Sequence, residues 1–74
     1  MPMIDITATA VNIKALRKNK GLKVRDIQEV FGFATPQAIY KWENGTALPS
    51  LDNLVILATL LKVKMDDIIV VKTI

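Results

Sequence analysis

Cysteine and histidine are both absent from this sequence of 74 residues. Without cysteine there is neither a disulfide framework nor a zinc–thiolate site. Without either residue type, and with Ser50 the single serine, the common nucleophile and general-base pairings cannot be assembled. Carboxylate or lysine chemistry stays formally open, but paired carboxylates are missing and so short a chain leaves no length over for a substrate pocket. Apolar runs are short: the one ending at Ala58 reaches Leu61 only across Thr59, far below the roughly 20 residues that span a bilayer. The first basic residue is Lys14 and no apolar segment with a small-residue cleavage site follows it, so no secretory leader is expected. The chain reads as cytoplasmic, with no membrane partner.

What is present is a globular composition, 51% apolar and 23% charged. A domain of this size buries only about 60% of the surface its unfolded chain exposes, so a partner or a second copy would add to a thin stability margin. The net charge of +3 is modest, but it is unevenly placed. Residues 1–25 balance at +5, residues 26–49 at −2, and residues 50–74 at zero. The run from Lys14 to Arg25 holds six cations and no anion, which fits either a solvated helix end or a surface for phosphate.

Residues 1–8 alternate weakly and read as an arm or short strand, with a helical pattern beginning near Thr9 and stopping at Asn19-Lys20-Gly21. Val24, Ile27, Val30 and Phe31 make the apolar stripe of a short second helix that Gly32 ends. Thr35-Pro36 predicts a third helix start, Thr as the cap and Pro in the first helical position. That helix points Ala38, Ile39 and Trp42 inward and closes at Glu43-Asn44-Gly45. Trp42 is expected in the core, not at an interface. Ser50 caps a fourth helix with Leu51, Leu54, Val55, Ala58 and Leu61 as its core stripe and Leu57 at its edge. A fifth helix is expected from Asp66 to about Val70. Two short helices joined by a tight glycine-containing turn form a helix-turn-helix arrangement.

The residues themselves then resemble a family. Ile13-Lys-Ala-Leu-Arg17, Gly21-Leu-Lys-Val-Arg-Asp-Ile27, the stretch from Gly32 through Tyr-Lys-Trp-Glu-Asn to Gly45, Leu48-Pro-Ser-Leu-Asp-Asn-Leu54 and Leu61-Lys-Val-Lys-Met-Asp-Asp67 look like the Cro and phage-repressor type of helix-turn-helix domain, also called the xenobiotic response element family. The match covers about residues 12–69. Lys23-Val24 departs from the family's usual Ser-Gln, and the turn after Gly32 is one residue longer than the commonest form. The resemblance implies an all-α, five-helix, lambda-repressor-like DNA-binding domain with a short extended N-terminal arm. Residues 1–8 would be the arm, 9–70 the helix-turn-helix domain and 71–74 a tail.

In such domains the third helix lies in the major groove and the second crosses the backbone. The resemblance therefore makes Gln37, Tyr40 and Lys41 the expected base readers, since Gln suits adenine and Lys suits guanine edges. Lys23, Arg25, Thr35, Asn44 and Thr46 are the expected phosphate binders. Arg17 and Glu43 stand where relatives carry a partly buried ion pair. Ile56 and Leu60 stand where relatives more often have polar or small residues, and with Ile69 and Val71 they are expected to form a homodimer interface, unless arm and tail fold back over them within one chain. Asp66-Asp67 has no further ligand at metal spacing and suits the first turn of a helix, so no metal or cofactor is expected. The implied function is a sequence-specific regulator of transcription, a repressor acting on double-stranded DNA as a homodimer at a palindromic operator, and not an enzyme. The alternative is an antitoxin or adaptor whose main role is to hold a protein partner such as a toxin. No ligand-binding or protease module follows, so sensing is expected to come from elsewhere or to be absent.

Overall fold

A computed structural model describes residues 1–74. They run β1 (Pro2–Ile4), α1 (Ile6–Asn19), α2 (Val24–Phe31), α3 (Gln37–Asn44), α4 (Leu51–Leu61), α5 (Met65–Ile68) and β2 (Val71–Thr73). No helix is long and apolar enough to cross a membrane.

Local chemistry accounts for most of the boundaries. The Asp5 carboxylate accepts the Ala8 amide at 2.9 Å, which starts α1 three residues ahead of the expected Thr9 and leaves a shorter arm. The β-branched Thr7 and Thr9, weak helix formers, concealed that start in the sequence. Asp26 in the first turn of α2 accepts the Lys23 amide at 2.7 Å, and Gly32 closes the helix with φ +70, a conformation that glycine adopts without steric cost. Ser50 Oγ accepts the Asn53 amide at the head of α4. Thr35, in contrast, caps nothing. Pro36 holds the cap position of α3, one residue outside its expected place, and its carbonyl takes the Tyr40 amide at 3.1 Å.

Two further expectations are corrected. Leu51 and Val55, expected in the core, are 74% and 51% exposed, whereas Leu57, expected at the edge, is completely buried. From Leu54 to Leu61 every residue of α4 but Thr59 is apolar, so its sequence carries too little contrast to fix which face turns inward. The fifth helix is only Met65–Ile68; beyond it Ile69 and Val70 extend into β2 in place of more helix. β2 pairs antiparallel with β1 within the chain, Met3 opposite Lys72 and Ile4 opposite Val71. The tail therefore adds a small sheet to the helical domain.

The core is built from every helix: Ile13 of α1, Ile27 of α2, Ile39 and Trp42 of α3, Leu54, Leu57, Ala58 and Leu61 of α4, and Ile68 of α5. Fully burying one such Ile or Leu contributes about 1.5 to 3 kcal/mol. The C-terminal segment is fastened to α1 by polar groups. Asn12 Nδ2 donates to the carbonyls of Asp67 at 2.6 Å and Ile68 at 2.9 Å, satisfying the end of α5. Thr9, itself buried, accepts the Val70 amide on its hydroxyl at 2.9 Å.

Candidate nucleic-acid interface

The turn between α2 and α3 is held from both sides. The Phe33 amide donates to the Gln28 carbonyl at 3.1 Å, and the Gln28 side-chain amide donates back to the Phe33 carbonyl at 3.2 Å. Phe31 and Phe33 stack with centroids 5.1 Å apart, and both meet the Trp42 ring edge to face. Such pairs are worth about 0.5 to 1.5 kcal/mol beyond the area they bury. Three aromatics thus tie the end of α2 and the turn to α3.

With Ile39 and Trp42 buried beneath it, α3 turns Gln37, Tyr40, Lys41 and Asn44 outward, and all four are exposed. Lys23 and Arg25 are exposed at the start of α2, and Thr35 is exposed in the turn. Asn44 and Thr46 come together past the end of α3. Asn44 Oδ1 accepts the Thr46 amide at 2.9 Å and the Thr46 hydroxyl as well, and this leaves the Asn44 Nδ2 hydrogens as the donors that the pair presents to solvent.

The far end of α3 is bound to α1. Arg17 Nε donates to Glu43 Oε2 at 2.6 Å and Nη2 to Oε1 at 3.1 Å, while Nη1 donates to the Leu22 carbonyl at 2.9 Å. The two side chains are 10% and 7% exposed. The hydrogen bond to Glu43 raises the Arg17 pKa above its ordinary value, burial works against this, and the Glu43 charge and the Tyr40 side chain add to the rise. Gly45 closes α3 with φ +80, a conformation that suits glycine, and lies beside α1, where a Cβ would make ordinary van der Waals contact at 3.8 Å with the Ala10 Cβ and the Thr7 Cα.

Of the residues expected at an interface between copies, Ile56 and Val71 are exposed. Leu60 and Ile69 are half-buried against the core. No group of three or more His, Cys, Asp or Glu is placed to hold a metal ion. Sequence reasoning missed Thr9, Asn12 and Gln28, whose polar side chains position neighbouring segments. Nothing in their local sequence marks them, because their partners are backbone groups supplied by the fold.

Comparison with known proteins agrees with the fold. The family described as helix-turn-helix matches residues 13–68. No curated protein matches the chain. Among solved structures, the chain is similar to the restriction-modification controller protein C.AhdI from Aeromonas hydrophila, with 25% identity and a TM-score of 0.76 over 86% of this chain and 96% of that one.

Proposed function

This chain belongs to the helix-turn-helix family of the Cro and phage-repressor type, a family of DNA-binding transcriptional regulators, and from that premise we propose that it is a sequence-specific repressor that binds a palindromic operator as a homodimer in the cytoplasm or nucleoid. The observation that carries the reading is the state of α3. Its outward Gln37, Tyr40 and Lys41 side chains are exposed and engage no partner in the chain, while aromatic packing at one end and an ion pair at the other hold the helix itself. Donors left free on a rigid element are what base reading requires. Lys23, Arg25, Thr35, Asn44 and Thr46 lie around it as phosphate partners. Likeness to a controller protein supports a role in regulating transcription.

Two-fold assembly is supported by apolar surface. Leu51, Val55 and Ile56 leave α4 exposed, and beside them Ile4, Leu48, Pro49, Leu51, Leu54 and Ile69 line an apolar groove. Exposed patches of this kind mark interfaces. Selection from random duplex DNA at stated salt should enrich one sequence with two-fold symmetry. Failure to enrich any sequence, from a chain that is folded, overturns the reading. That outcome would favour a second one, an adaptor or antitoxin whose groove holds a protein partner such as a toxin.

A further inference from the structure

The basic run that begins at Lys14 is larger than the set of cations around α2 and α3, and its first members lie on α1. Arg17 is engaged by Glu43, the one ion pair in the structure. Lys14 and Lys18 are exposed and have no carboxylate partner. No acidic residue occurs anywhere along α1. Two lysines four residues apart share a face, and this face can be located from the contacts of α1 with α3.

Ala10 meets the chain at Gly45, and Arg17 meets Glu43. Lys14 comes four residues after Ala10 and three before Arg17, so it stands between these two points of contact, on the flank of α1 that borders the end of α3. Lys18, next after Arg17, continues the same ridge outward. Asn12 points to the opposite flank, where it holds α5, as the spacing of two residues on a helix requires. The ridge therefore borders the Tyr40 side of the exposed α3 face, since Tyr40 precedes Glu43 by three residues, and it passes the C-terminal end of α3, which carries Asn44.

We propose that Lys14 and Lys18 form a second phosphate clamp, which grips the DNA strand passing the Asn44 end of α3, outside the groove that α3 reads. This rests on the DNA-binding reading above and extends it to a residue pair on a helix outside the helix-turn-helix unit. The chemistry is that of point charges on flexible stems meeting phosphate oxygens, which adds affinity and orientation without base preference. Each phosphate neutralised releases condensed counterions and steepens the fall of log K with log salt by about 0.9. One decade of salt below 1 M, that slope corresponds to about eightfold in affinity for each lysine.

The experiment is titration of fluorescent duplexes, the enriched operator and a scrambled one, across a series of salt concentrations. Wild type is compared with Lys14→Gln/Lys18→Gln and with Lys64→Gln/Lys72→Gln, which removes the same charge from the α5 and β2 side. The α1 variant should lower the salt slope by about two on both duplexes and leave base preference unchanged, and Lys14→Arg/Lys18→Arg should restore the slope. Circular dichroism melting should show all variants folded, since these side chains are exposed. A slope no lower than that of the Lys64→Gln/Lys72→Gln control would overturn the clamp while leaving DNA binding intact. Loss of preference at one base position would also overturn it, by making the lysines readers. A folded wild type that binds neither duplex at low salt would overturn the clamp together with the DNA-binding reading.

Discussion

The Arg17 guanidinium faces the Glu43 carboxylate with two parallel donors, and its remaining nitrogen reaches the Leu22 carbonyl. One side chain of α1 thus fixes both the end of α3 and the loop ahead of α2. The pair is nearly withdrawn from water, so its two charges depend on each other.

Neutralising one partner strands the other. Glu43→Gln should cost about 3 kcal/mol, the lower end of what breaking a buried pair costs and a large share of a small domain's stability. Chemical denaturation followed by Trp42 fluorescence measures it. A loss under about 0.5 kcal/mol would identify the pair as energetically equivalent to an exposed one.

Readers and clamps should separate in binding experiments. Gln37→Ala should flatten preference at one operator position at a cost of about 1 to 3 kcal/mol, whereas Lys23→Ala should weaken all sequences alike and lower the salt slope by about one. Parallel titrations on specific and scrambled duplexes check both. If Gln37→Ala keeps its full preference, Gln37 does not face a base.

Thr9→Val keeps the shape of the side chain and removes the acceptor of the half-buried Val70 amide. An orphaned donor costs about 1 to 3 kcal/mol where it is fully buried, so about 1 kcal/mol is expected here. Thermal melting should show the loss, and hydrogen exchange at the Val70 amide should accelerate more than exchange in α3. Unchanged protection at Val70 would show that another group takes the place of the hydroxyl.

The α4 face gives a test of assembly. Leu51→Lys/Ile56→Lys introduces charge at two exposed positions, so a monomer should tolerate it and a dimer should not. Sedimentation equilibrium at micromolar concentration should show the wild type at twice the chain mass and the variant at the chain mass. A wild type already at chain mass rules out the homodimer. Leu60 is a poorer probe because it packs against the core, and a charge there would disturb folding and association together.

Much of this could be read before any coordinates. The motif residues from Ile13 to Asp67 carry the helix-turn-helix arrangement because capping and glycine chemistry are local: Ser50 and Gly32 act where their spacing put them. Trp42 lies in the core as its place in the inward stripe required. Other features were illegible for physical reasons. In α4 apolar residues surround the helix, so the inward face was decided by fit to α5 and the core, and Leu51 and Leu57 exchanged their expected roles. The start of α3 depends on how the turn packs, and Pro36 holds the cap position, which leaves Thr35 without an amide to cap. The sheet joins segments at opposite ends of the sequence, and three-residue strands carry too few side chains to announce their pairing.

That sheet gives the molecule a late event in its folding. Asn12 and Thr9 already tie α1 to Asp67, Ile68 and Val70, so pairing Pro2–Ile4 with Val71–Thr73 adds two short exposed strands to a long loop that the helical body has closed. The helical body can form first and the strands zip on afterwards. In the native state the reverse step, unzipping, should precede global unfolding as a separate low-energy opening of the kind hydrogen exchange detects. Because Ile4 and Ile69 line the apolar groove beside α4, each such opening also reshapes the surface proposed above for two-fold assembly. In the proposed dimer, association and fraying of the termini would therefore be coupled, and a partner that occupied the groove would slow the fraying by mass action.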